Sequence, residues 1–309
     1  MVGFFRDAQA ALGFVTSQTA HVEQQVNEVV YPDIQYPQLI PVDTSAHPFA
    51  QTVEYYSSDK TGKAEWINGN ADDVPLANGE RTKHQTSVYT AGIGYGYGWE
   101  EVNQAAMLGV NLSAEGAMAA RRAYEEMVDR VAIKGDAAKG FQGLINNSSV
   151  NAAAATNGDW GGTGTTSDYV LQDVNDALLA VGTDTLYTSV ADTLLLSFAK
   201  MNFLATTRLG DTDKTLLSFL RENNTYTAMT GRPLTIRGVR GLETAGSGNS
   251  QRMVAYRRDP QVLKLHIPMP HQFLPAEKSG ALNFIVPGVF RIGGLDIRRP
   301  AEVKYRDGV

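Results

Sequence analysis

The sequence predicts an α+β fold, and three observations carry that expectation. Helical and strand-like runs follow one another without the regular βαβ alternation of a parallel sheet. One helical run, over 113–134, is long for a globular helix: about 22 residues at ~1.5 Å each give roughly 33 Å, enough for a spine. A stretch over 51–92 reads as a long two-stranded excursion of mixed charge and low apolar content, which cannot bury enough surface to stand alone. The chain has 309 residues, 43% hydrophobic and 19% charged. That is ample for a sizeable core in one large domain or two.

The first element lies over residues 4–30. Phe5, Ala8, Leu12, Val15, Val22, Val26 and Val29 recur at helical steps, and Gln9, Gln18, Glu23, Gln25 and Glu28 mark a polar face. Gly13 weakens the middle. Tyr31-Pro32 ends the run, because the residue before proline is pushed out of helical backbone. Two uses stay open: a helix packed on its own domain, or an arm lying on a neighbouring subunit. Residues 36–44, YPQLIPVDT, read as an extended segment bounded by prolines. In the excursion that follows, QTVEYYS and KHQTSVY are the strand-like pieces, with KAEWING between them. Asp72-Asp73, Pro75 and Asn78-Gly79 are turn residues that break its middle.

Residues 92–99 read GIGYGYGW. A period of two puts Ile93, Tyr95, Tyr97 and Trp99 on one face and bare glycine backbone on the other, where another element can come close. A flexible aromatic–glycine loop is the plainer alternative. The spacing G-x-G-x-x-G is absent, so this is no dinucleotide fingerprint. A short helix is expected over 100–108 and is broken by Gly109-Val110-Asn111. Ser113 then caps the long helix, with Glu115 in its first turn. Ala117, Ala120, Tyr124, Met127, Val128 and Val131 form its apolar stripe. Arg121, Arg122, Glu125, Glu126, Asp129 and Arg130 carry its charge, with Glu126–Arg130 spaced as a pair. Lys134 and Gly135 suit its end, the glycine as a left-handed cap.

Residues 151–168, rich in Ala, Asn, Gly, Thr and Ser with one Trp, read as a loop. A helix follows over 169–181, with Val170, Val174, Ala177, Leu178 and Val181 on one side. Thr193 to Leu196 reads as a short buried strand. Helices are expected at about 198–207 and 212–222, and strands at 233–238, 252–257 and 262–267. GLETAGSGNSQ reads as a mobile polar loop. The last segment offers the strand runs LNFIV, VFRI and DIRRPAEVKY. There is no internal repeat and no low-complexity tail.

The net charge is −6 with a pI near 5.4. Strong sequence-independent nucleic-acid binding is therefore not expected. The charge is uneven: from Arg252 onward Lys and Arg outnumber Asp and Glu, which suits self-association. The chain has no cysteine, which excludes disulfides, thiolate catalysis and Cys-based metal centres. No run of ~18 apolar residues is present. The start of the chain lacks a secretory pattern, so a soluble protein folded in a cytoplasm is expected. His21, His47, His84, His266 and His271 are scattered, and the last two straddle Pro268 and Pro270 rather than sharing a helix face. No metal site, no cofactor and no catalytic residue is expected. Neither a nucleophile elbow nor a phosphate loop occurs, and adjacent carboxylates such as Asp72-Asp73 and Glu100-Glu101 diverge. The pairs Arg257-Arg258 and Arg298-Arg299 suit bidentate salt bridges between subunits better than contacts to DNA.

The order of parts resembles the major capsid proteins of tailed phages, which have the Hong Kong 97-like fold. The matching pieces are Leu39 to Thr44, then Val53-Glu54-Tyr55 through Gly62-Lys63-Ala64, then Asp72-Asp73-Val74-Pro75. The aromatic–glycine strand and Trp99-Glu100-Glu101 follow, then Ala119-Ala120-Arg121-Arg122, Gly135-Asp136 and Gly143-Leu144-Ile145-Asn146. The likeness covers roughly 36–150, and the ordered set carries it rather than any single motif. It implies an N-arm over 1–35 and an extended loop over 51–92. It also implies a peripheral domain from 36–50, 93–139 and 256–309 with the spine helix, and an axial domain over 140–255. Subunits would assemble as pentamers and hexamers in an icosahedral virion shell around double-stranded DNA, touched by weak non-specific contact only. The family is structural, so no enzyme activity is expected. The candidate inter-subunit contacts are Phe5, Leu12, Val15 and Val22 on the arm, Tyr55, Lys60, Lys63, Trp66 and Arg81 on the extended loop, and Arg257, Arg258, Arg298 and Arg299. The type member carries a cleaved scaffolding region and Lys–Asn cross-links. Here a separate scaffolding protein or none is expected, with possible decoration proteins and a portal as further partners, and Lys60 and Lys63 are not expected to cross-link. A compartment shell of the same fold, enclosing cargo enzymes, is the rival.

Overall fold

The computed structural model describes residues 32–66, 76–108 and 112–309. The chain divides into Met1–Asp33 and Ile34–Val309, and every element below belongs to the second unit. The amphipathic run holding Phe5, Leu12, Val15 and Val22 lies outside the described residues.

Along the chain the elements are α1 (Tyr36–Leu39), β1 (Val42–Asp43), β2 (Thr52–Thr61), β3 (Asn78–Ser87), β4 (Tyr89–Gly92), β5 (Tyr95–Gly98), α2 (Trp99–Leu108) and α3 (Leu112–Lys134). Next come β6 (Gly135–Asp136), β7 (Phe141–Gln142), β8 (Asn151–Ala154), α4 (Ser167–Asp184), β9 (Thr193–Leu196), α5 (Phe198–Thr206), α6 (Leu216–Glu222), α7 (Thr225–Thr230) and β10 (Thr235–Gly238). The chain ends with β11 (Arg252–Tyr256), β12 (Leu263–His266), β13 (Met269–Phe273), β14 (Glu277–Lys278), β15 (Asn283–Val286), β16 (Gly288–Ile292), β17 (Gly294–Ile297) and β18 (Val303–Asp307).

A five-stranded sheet in the order β10-β9-β11-β18-β8 organises the body. Successive residues of a strand point to opposite faces, and here both faces are apolar. Leu195, Val254, Tyr256, Val303 and Tyr305 enter one core with Tyr124, Val128 and Val131 of α3. Leu194, Leu196, Met253 and Ala255 enter a second core with Val170, Val174, Ala177, Leu178 and Val181 of α4. This double burial is why Leu194, Leu195 and Leu196 stand in succession without polar alternation.

Several expectations hold. The long helix ends at Lys134, and Gly135 takes the left-handed backbone expected of a cap at φ 77. Its stripe is buried at Ala120, Tyr124, Val128 and Val131. The helix begins at Leu112, so position 113 lies inside it rather than capping it.

Other expectations are corrected. Residues 36–39 are helical, because Pro37 sits in the first turn, where its missing N–H loses no bond. Asn78 and Gly79 do not turn the chain. They pair with Thr61 and Lys60, and the continuous ladder outweighs their turn propensity. The aromatic–glycine run is two strands, since β4 and β5 join different sheets and Trp99 opens α2. Among the described residues Glu126 pairs with Arg122, the cation four residues before it, at 3.2 Å, and not with Arg130. Asp129 is buried rather than on a solvated face, and accepts the N–H groups of Gln35 and Tyr36, each at 2.8 Å.

The stretch read as a loop contains β8, and its Trp160 is buried, donating to Asp173 at 2.8 Å. Residues 212–215 lie outside the helix, which runs only over Leu216–Glu222. The polar stretch after Arg240 is anchored, with Leu242 fully buried and Ser247 donating to Asp307 at 3.0 Å. Elements that went unread are α7 and β13, along with the two-residue strands β6, β7 and β14. The first is a single short run without an apolar period. The second carries Pro270 inside a register shift, where the ladder tolerates a missing N–H.

Candidate subunit-contact site

β2 and β3 form a sheet of two strands, paired over ten residues from Thr52↔Ser87 to Thr61↔Asn78. At ~3.3 Å per residue the ribbon is about 33 Å long. Most of its described residues are exposed. An isolated pair of strands with no buried face is marginal in water, so the ribbon's root must be held and its outer part must find other surface.

The root is held by several bonds. Val88 donates its N–H to the Gln51 carbonyl at 2.8 Å, and Arg291 donates to the Pro48 carbonyl at 2.8 Å. Tyr55 stacks on His84, with ring centroids 4.8 Å apart, and the Arg298 guanidinium lies 4.4 Å from the Tyr55 ring centre. Burial, reinforced by the Asp296 carboxylate and opposed by Arg298, pushes the Tyr55 hydroxyl above its ordinary value. Asp296 also pairs with Arg298 at 3.1 Å. Beneath, His266 is 1% exposed, between Asp43 at 3.8 Å and Asp296 at 3.6 Å, and neither ring nitrogen makes a hydrogen bond. Asp43 is held below the usual carboxylate range: its burial opposes this, but Ser45 and Lys264 donate to it.

The candidate contact residues fall into separate groups. Tyr55 belongs to the ribbon's root, while Lys60, Lys63 and Arg81 are exposed on its outer part and Trp66 is wholly exposed beyond it. The four arginines all have partners within the chain. Arg257 meets Asp259 at 3.0 Å and Glu302 at 3.5 Å. Arg258 donates to the Pro37 carbonyl at 3.0 Å. Arg298 serves the ribbon root, and Arg299 meets Glu302 at 3.2 Å. Composition singles out the arginine pairs, but only the fold shows which acids lie beside them.

A second exposed area was not singled out from the sequence. Trp99, Met118 and Leu282 are all more than half exposed. Trp99 and Leu282 meet where β15 pairs with β5 and β5 runs into α2, the Trp99 N–H donating to the Leu282 carbonyl at 2.7 Å. Residues expected to lie on one strand or one helix face gave no sign of this corner, because three separate elements build it. Among the described residues no group of His, Asp and Glu is arranged to hold a metal ion, and no helix is long and apolar enough to cross a membrane.

A body of two cores on one sheet, with a ribbon carried outside both, is a mixed helix-and-sheet fold of capsid type. The fold is similar to that of the capsid of Myoviridae phage XM1, with a TM-score of 0.79 at 17% identity over 95% of this chain and 98% of that chain. It is similar to the capsid of a native GTA particle, with a TM-score of 0.67 at 10% identity over 93% of this chain and 94% of that one. It also resembles Microbacterium phage Oxtober96, with a TM-score of 0.61 at 14% identity over 97% of each chain. No curated protein matches the sequence significantly. The family described as major capsid protein matches residues 62–309, and the chain belongs to that family. It is a family of structural proteins and not a class of enzymes.

Proposed function

We propose that this chain is the shell-building subunit of a tailed-phage head, with the Hong Kong 97-like arrangement. Copies assemble as pentamers and hexamers into an icosahedral shell that encloses double-stranded DNA, and the protein resides in the virion after assembly in the host cytoplasm. In this reading residues 1–35 are the N-arm, bearing Phe5, Leu12, Val15 and Val22 as contacts. Residues 51–92 are the extended loop. Residues 36–50, 93–139 and 256–309 are the peripheral domain, whose last strand, β18, joins the sheet shared with the axial domain of residues 140–255. Arg257, Arg258, Arg298 and Arg299 stand at subunit boundaries while keeping their partners within the chain.

One observation carries this function: the ribbon is tied down at its root and carries almost no buried residue beyond it. Ordering such a segment has an entropic cost that burial on neighbouring copies offsets. Electron microscopy of the purified chain tests the proposal. Closed particles with icosahedral symmetry, built of five- and six-membered rings, are the expected result. A stable monomer over a wide concentration range would overturn it.

A further inference from the structure

The sheet β13-β16-β4 turns one face to the core and the other away from it. Phe290 and Ile292 of β16 enter the core with Tyr124 of α3. Val289 and Arg291 alternate with them and stand on the opposite face. Thr90 of β4 and Met269 of β13 lie directly across from Arg291, and Gln272 of β13 lies across from Val289. Thr90 and Gln272 are exposed, and so is Phe49, the residue after Pro48.

Arg291 itself is only 8% exposed, and its guanidinium is partly used. Nη1 donates to the Pro48 carbonyl at 2.8 Å. Nε is buried without a hydrogen-bond partner. Nη2, on the same edge as Nε, makes no hydrogen bond either but reaches the surface. Three Lys and Arg side chains are buried among the described residues: Arg252, Arg291 and Lys304. Arg252 meets Asp307 at 2.6 Å, and Lys304 meets Asp184. Arg291 alone of the three has no ion pair within the chain. A guanidinium is not deprotonated in proteins, and a charge withdrawn from water without a counter-ion is strongly unfavourable. Acids are in excess on the chain, 33 against 27 Lys and Arg, so a second copy can supply what Arg291 lacks.

We infer that Arg291 receives a carboxylate of a second copy, side-on along its Nε–Nη2 edge. The inference rests on the shell-subunit function above, and it places a contact on the sheet of the body rather than on the ribbon. A carboxylate there satisfies both free donors and neutralises the charge, in the geometry that the planar fork of arginine favours. An arginine beside an exposed aromatic side chain, here Phe49, is also the composition of an interface centre.

Arg291→Gln separates this contact from a purely internal role. The critical concentration for particle formation is expected to rise about thirtyfold or more. The melting temperature of the unassembled chain is expected to shift by no more than about 4 °C, since only the Pro48 bond is lost within the chain. An unchanged critical concentration overturns the inference. So does a larger fall in melting temperature, which would make Arg291 an internal tie. Arg291→Lys gives a second measurement. Particles built from equal parts of isotope-labelled and unlabelled chains of this variant are treated with a carbodiimide, which joins an amine to a contacting carboxylate as an amide. The expected product links position 291 to an Asp or Glu peptide with the two labels mixed, and is absent from the unassembled chain. Particles without that product, or with unmixed labels only, overturn the contact. All these results leave the shell function standing, whereas a wild-type chain that forms no particles removes both.

Discussion

Asp307 stands near the end of the chain yet joins three segments. It accepts from Arg252 at 2.6 and 2.9 Å and from the Ser247 N–H at 3.0 Å. Arg252 also donates to the Ile145 carbonyl at 2.7 Å and lies 4.5 Å from the Tyr305 ring centre. Burial would raise the Asp307 carboxyl, but the Arg252 and Ser247 bonds hold it below its usual value. A group whose folded-state value is depressed contributes stability above its unfolded value, near ~3.9 for Asp, and loses it as pH falls through the folded value. Asp43 acts in the same direction. Stability should therefore be flat near neutrality and fall in acid, and Asp307→Asn should shallow that fall. Removing the cation leaves a buried carboxylate unpaired. Denaturant unfolding of Arg252→Met should show a loss of about 3–5 kcal/mol, and a loss below about 1 kcal/mol would contradict the assignment.

At the scale of elements, the join between α3 and β5 depends on a missing side chain. A Cβ on Gly116 would stand 2.7 Å from Cδ2 of Tyr95, so the helix lies on the strand only because that atom is absent. Gly116→Val is expected to weaken the fold by about 1–3 kcal/mol through overpacking, read as a lower denaturant midpoint. Relief of that loss by Tyr95→Ala in the same chain would identify the ring as the obstacle. Elements whose burial follows a single period were legible in the sequence: the α3 stripe, α4 and β9 all lie where the apolar spacing puts them. The departures have particular causes. Pro37 and Pro270 mark a helix start and a bulged strand instead of segment boundaries, and Asp129 turns inward to hold α1. The ribbon was legible as a coreless excursion. The meeting of Trp99 with Leu282 was not, because it comes about only through the pairing of β15 with β5.

For the whole molecule, the division of labour between its parts matters most. The five-stranded sheet serves two cores at once, while the ribbon and the Trp99–Leu282 corner leave large side chains in water. Exposed apolar surface of this kind marks sites of association. In the function proposed above, that surface is where copies meet, since every copy presents the same ribbon. Hydroxyl-radical footprinting of Tyr56 and Trp66, 67% and 105% exposed in the single chain, compares unassembled protein with closed particles. Strong protection of both side chains in the particles is the predicted result. Equal reactivity in the two states would mean that the ribbon does not bury itself on other copies, and would contradict the function proposed here.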